Sequence, residues 1–152
     1  MSLSPVDTGH IPLDADVFPM ANSDTKKEMV SYTYKGHDGY APIAAYLGLE
    51  GWCLEVELRP GSQHSQKGFI LFMERVLRKA RALTNRKLLI RLDSAHYAVE
   101  TRVFLRNADK VSYIIKWNPR TQETAELYKR AFAEGNQNGY PGTDLPGSPP
   151  DQ

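Results

Sequence analysis

The chain has 152 residues, of which 41% are hydrophobic and 24% charged, with a net charge of +1. That length fits one domain with a real core, and the near-neutral balance excludes nucleic-acid binding through an overall basic field, leaving only local patches. One cysteine, Cys53, excludes an internal disulfide, and no apolar run reaches membrane-spanning length.

The first residues, MSLSPVDTGH, lack the basic and apolar regions of a signal peptide, so a soluble cytoplasmic protein is expected. Residues 1–12 read as a flexible lead broken by Pro5, Gly9 and Pro12. From Leu13 to Phe18 apolar and acidic residues alternate. This predicts a strand with Asp14 and Asp16 on one face, stopped by Pro19. Residues 20–38 are polar and turn-prone, with Lys26, Lys27 and Lys35 interleaved with Tyr32 and Tyr34. Gly39–Leu47 and Trp52–Leu58 predict a hairpin whose turn contains Gly48, Glu50 and Gly51. Cys53 falls in this hairpin, where a small buried residue fits.

After Arg59-Pro60-Gly61 and the polar run SQHSQKG comes the clearest helix, over 69–83. Phe69, Met73, Val76, Leu77, Ala80 and Leu83 recur at helical spacing, with Arg75, Arg78, Lys79 and Arg81 over much of the other face. Lys87–Leu92 predicts a short buried strand that delivers Asp93 at its carboxyl end, where open α/β sheets place ligands. The plainer reading of Asp93 is a cap for the following helix. A second helix is predicted over 97–108, a strand over Val111–Trp117, moderate helicity over 121–134, and a disordered tail rich in Gly and Pro over 135–152.

Three strands followed by helix, strand, helix and strand predict an α/β protein with a mixed sheet, in the order of a ribonuclease-H-like fold. In that arrangement the first and fourth strands are neighbours, so Asp16, or Asp14, and Asp93 converge at one edge. Paired carboxylates without a histidine partner suit Mg²⁺ or Mn²⁺, and two such ions about 3.5–4 Å apart support phosphoryl transfer. The plainer alternative is two solvated strand-end acids. His64 and His96 lack zinc-ligand spacing, and Ser94 with His96 lacks a nucleophile elbow. Lys26 to Tyr40, Arg59 and Gln63–Lys67 supply cations, tyrosines and donors suited to a phosphate backbone.

The stretches LDADVF, YKGHDGYAPI, ELRPGSQHSQKG and RLDS resemble the DDE transposases of bacterial insertion sequences, over about residues 13–120. The resemblance implies a ribonuclease-H-like catalytic core, here over 13–134, with two Asp and one Glu that bind Mg²⁺ or Mn²⁺, two ions in the complete enzyme. It implies DNA, the insertion-sequence ends, as the substrate cut and joined. It also implies a homodimer, no membrane partner, and a bacterial cytoplasmic setting that is nucleoid-associated on DNA. Asp16 matches the first acid, although Phe18 stands where the family has Thr and leaves Asp14 as a substitute. Asp93 matches the second. For the third, Arg130 and Glu134 keep the family's Arg–Glu spacing, but Tyr128 is one residue too close and the following Lys is absent. The N-terminal DNA-binding region usual in the family is also missing.

The expectation is therefore a truncated transposase domain with two of three acids and little activity alone. The alternative is a non-catalytic DNA-binding remnant. In either case Lys26, Lys27, Tyr34, Lys35, Arg59, His64 and Lys67 are the expected nucleic-acid contacts.

Overall fold

The computed structural model describes residues 2–118 and, beyond them, Lys129, Arg130 and Ala133. The chain divides into two compact units, Met1–Asn118 and Pro119–Gln152. Of the second, the three described residues are helical and exposed. The rest of the expected 121–134 helix, with Glu134, and the 135–152 tail lie outside the described residues.

In chain order the first unit carries β1 (Ile11–Val17), β2 (Met20–Ala21), β3 (Ser31–Tyr32), β4 (Asp38–Tyr40), β5 (Ile43–Leu47) and β6 (Trp52–Glu57). Helix α1 (Phe69–Leu83), β7 (Leu88–Leu92), a 3-10 turn (Ser94–His96), α2 (Val99–Asn107) and β8 (Val111–Ile115) follow. Five strands form one sheet in the order β6-β5-β1-β7-β8. The β1–β5 and β5–β6 pairs are antiparallel, while β1–β7 and β7–β8 are parallel. This is the mixed α/β sheet expected, in ribonuclease-H-like order. Each parallel step needs a crossover, and α1 and α2 supply them.

Alternation decides which face is which. Ile11, Leu13, Ala15 and Val17 of β1, with Leu88, Ile90 and Leu92 of β7, join Phe69, Phe72, Met73, Val76 and Ala80 of α1 and Leu105 of α2 in one core. Asp14, Asp16 and Arg91 fall between these positions and so lie on the opposite face. Burying one α1 side chain such as Phe72 contributes about 1.5–3 kcal/mol.

The first strand starts at Ile11, two residues earlier than predicted, and the lead before it makes hydrogen bonds to the hairpin. Ile11 N donates to Lys87 O at 2.9 Å, which extends the ladder past Leu13. Ser4 N and Oγ donate to Glu50 at 2.9 and 2.6 Å, and Trp52 Nε1 donates to Ser2 O at 3.1 Å. Residues 20–38 also hold more order than their polarity suggests. They contribute β2, β3 and the start of β4 to a second, three-stranded sheet in the order β2-β4-β3. Gly39 makes that sheet possible, because a Cβ there would run into the Met20 carbonyl oxygen.

Cys53 is exposed, contrary to the expectation. A register shift between Ala45 and Tyr46 re-phases β6 on the sheet edge and turns this residue outward.

Candidate functional site

The two acid-bearing strands meet as the topology requires. The parallel β1–β7 register runs to Ala15 opposite Leu92, so the next residues, Asp16, still paired with Ala44 of β5, and Asp93, just past the end of β7, follow side by side. Both line one cavity of about 730 Å³, together with Tyr32, Thr33, Tyr34, Gln63, His64 and His96. The second sheet and the Gly61–Ser65 loop form its far side. They are brought close by the Tyr40–Pro60 bridge and by Gly61, where a Cβ would run into the Ser31 and Gly39 carbonyl oxygens.

Asp16 and Asp93 are held differently. Asp16 Oδ1 accepts from Val17 N at 2.8 Å. Burial raises the Asp16 carboxyl above the usual range; the Val17 hydrogen bond opposes this and the Asp93 charge adds to it. Asp93 Oδ1 accepts from Ala95 N at 3.1 Å and so caps the 3-10 turn. The plainer reading of Asp93 is thus present in the geometry, but that cap occupies only one of its oxygens. Asp14 is engaged elsewhere: Arg91 Nε and Nη2 donate to its two carboxylate oxygens at 2.6 Å each.

A hard divalent cation fits the pair in kind, since Mg²⁺ is commonly held by one or two carboxylates with water completing the shell. Two oxygen-donor side chains share the cavity. Among the described residues, however, no group of three His, Cys, Asp or Glu side chains could hold a metal ion.

The expected nucleic-acid contacts separate into three sets. Tyr34 and His64 line the cavity with the acids. Lys26, Lys27, Lys35 and Lys67 are exposed but do not line it, and the Lys35 ammonium lies 5.4 Å from the Tyr34 ring centre. Arg59 corrects the expectation, being only 2% exposed. Its Nε donates to Glu57 Oε1 at 2.6 Å, its Nη1 to Ser65 O at 3.3 Å, and its guanidinium lies over Phe72. It braces the loop from inside instead of meeting a phosphate.

Three of the four basic residues on α1 are similarly committed. Arg75 pairs with Glu57, Lys79 with Glu55 at 2.7 Å, and Arg81 donates to the carbonyls of Arg86, Asp109 and Lys110.

Sequence reasoning grouped Gln66 with the donors for a phosphate backbone, whereas its Nε2 donates to Ala95 O at 3.2 Å and ties the loop to the turn below Asp93. It also gave His96 no role, although the ring is wholly buried in the cavity wall. The spacing of Asp93 and His96 across one short turn was the available signal.

The family model for the transposase DDE domain, group 1, matches residues 8–139. None of the curated proteins compared with the chain matches it. A solved piggyBac transposase, in a synaptic complex with hairpin DNA, is similar at 12% identity and a TM-score of 0.44 over 83% of this chain. The chain spans 26% of that protein's length. No helix among the described residues is long and apolar enough to cross a membrane.

Proposed function

Because this chain belongs to the transposase DDE domain family, group 1, we propose that it is the part of a DNA transposase that presents the first two metal-binding acids, Asp16 and Asp93. One observation carries the reading: the two acids stand at the carboxyl ends of adjoining parallel strands and line a single cavity. Asp16 and Asp93 would hold Mg²⁺ or Mn²⁺. The bound ion would supply charge for activating the attacking oxygen and stabilising the leaving oxygen of a phosphodiester.

The chain's own residues do the positioning. Val17 N and Ala95 N each fix one carboxylate oxygen, which pre-sets the direction of the remaining lone pairs. Asp14 is neutralised by Arg91, so it serves as a brace on the strands rather than as a substitute ligand. Tyr34 and His64 lie where a strand of DNA entering the cavity would pass, and Lys26, Lys27, Lys35 and Lys67 extend a cationic approach around it.

The resemblance supports insertion-sequence ends as the DNA, a bacterial nucleoid-associated setting and a homodimer as the working assembly. Among the described residues no third carboxylate joins the acid pair, which keeps a second reading in view, a DNA-binding remnant without catalysis.

A nicking assay on element-end duplex with Mn²⁺ separates the two. Slow nicking abolished by Asp93→Ala supports the catalytic reading. Salt-dependent DNA binding without any nicking, unchanged in Asp16→Ala and Asp93→Ala, replaces it with the remnant.

A further inference from the structure

His96 is 0% exposed, with its ring stacked on Phe69 at 4.0 Å between centroids and 25° between planes. Among the described residues neither ring nitrogen has a hydrogen-bond partner. A neutral imidazole carries one N–H donor and one acceptor, and buried polar atoms are rarely left unpaired.

The ring is aimed. Nε2 lies 3.9 Å from Asp93 Oδ1, beyond hydrogen-bond reach by less than an ångström. That oxygen already accepts from Ala95 N at 3.1 Å, so the amide and a ring nitrogen of one turn approach the same oxygen. The Gln66 bond to Ala95 O holds the turn in place. Among the described residues no donor reaches Oδ2 of Asp93.

Burial lowers the imidazole to about 4, with the Asp93 charge opposing and Arg59 and His64 adding to the shift, so the ring is a neutral group at physiological pH.

We propose that His96 is a positioning residue for Asp93: a small shift of the carboxylate towards the ring brings Oδ1 onto Nε2–H beside the Ala95 amide, so that Oδ2 is the oxygen presented to a divalent cation. This rests on the reading of Asp16 and Asp93 as cation ligands. Partners that orient a ligating carboxylate are worth about 10–100-fold in metal affinity.

The test is calorimetric titration of Mn²⁺ into the full chain and into His96→Phe and His96→Gln. The phenyl ring keeps the aromatic stacking on Phe69, is somewhat larger, and has no donor. Its Mn²⁺ affinity falls about 10-fold, while metal-free thermal stability holds or rises. The Gln amide restores an N–H near the Nε2 position and recovers affinity to within about 3-fold of the native chain.

Native-like Mn²⁺ affinity in His96→Phe, or a Gln variant as weak as the Phe variant, overturns the proposal while leaving the acid pair as ligands. A native chain that binds no Mn²⁺ overturns the ligand reading itself, and this proposal with it. Ring ¹⁵N shifts of the unsubstituted protein give an independent check that needs no variant to fold. The Nε2–H tautomer is required, and an Nδ1–H tautomer overturns the proposal.

Discussion

Arg91 grips both carboxylate oxygens of Asp14 at 2.6 Å across the β1–β7 junction, in direct register, two residues before Asp16 and Asp93 along the same two chain segments. The four side chains form two rungs, one a carboxylate–guanidinium pair and one a pair of carboxyl groups. Like charges close together raise the cost of ionising both, and a cation placed between them removes it.

The rungs predict different responses to substitution. Asp16→Asn and Asp93→Asn each weaken Mn²⁺ binding by at least about 10-fold, while Asp14→Asn stays within about 2-fold. Calorimetric titration reads all three, and equal losses at 14 and 16 would show that the pairing with Arg91 does not exempt Asp14.

Asp16 also predicts a pH-dependent stability. Its folded carboxyl is raised, chiefly by burial and further by Asp93, so its ionisation opposes folding. A raised group contributes stability that is fully present below its unfolded value of 3.8 and is lost as pH rises through the folded value. Asp16→Asn, measured without metal, therefore melts about 2 °C above the native chain at pH 7, given screening at this partly exposed site. The gain disappears on acidification towards pH 3. A gain that persists there would place its origin in packing.

Tyr34 senses the same field. Its phenol is raised above 10.0 by burial first, then by the charges of Asp16 and Asp93. Asp93→Asn should shift the Tyr34 titration downward, and saturating Mn²⁺ should do the same to the native protein. Both are read from the ring carbon NMR shifts of Tyr34. An unmoved titration in both would mean that the phenol is electrostatically isolated from the acids.

Glu57 joins the edge strand to α1 and to the loop. Burial raises its carboxyl, but hydrogen bonds from Arg59 and Arg75 outweigh this and leave it lowered. A lowered group contributes stability that is present above its unfolded value of 4.5 and is lost as pH falls through the folded value. Acid unfolding thus begins below that range. Glu57→Ala leaves the buried Arg59 charge without its carboxylate and costs about 3 kcal/mol, seen as a lower denaturation midpoint at neutral pH. A loss under about 1 kcal/mol would mean that Ser65 O and solvent suffice for Arg59.

Gly61→Ala tests how the second sheet is attached. The added methyl meets the backbone oxygens of Ser31 and Gly39, which cannot swing aside as a side chain can. The expected cost is about 1–3 kcal/mol, with faster amide exchange confined to residues 20–40. Uniformly faster exchange across the main sheet would show that the two sheets open together.

The sheet and its acids were legible because their signals are local and periodic. LDADV alternates with period two, LLIRL is too short and apolar for anything but a central strand, and the α1 face repeats every three or four residues. The second sheet was not legible, because strands of two and three residues carry no period. Arg59 misled for a different reason. Its charge is read from the sequence, but its burial depends on Glu57 and Phe72, which only the folded loop brings near. Cys53 turned outward because of a bulge that composition does not announce.

Gly61 lets the second sheet sit against the loop after β6 through close backbone approach, with no side chain needed at that point. Lys26, Lys27 and Lys35, exposed on the chain between β2 and β4, do not line the cavity of the acid pair, so exchanging them leaves those two carboxylates in place. The outer surface and the acid pair can thus vary separately.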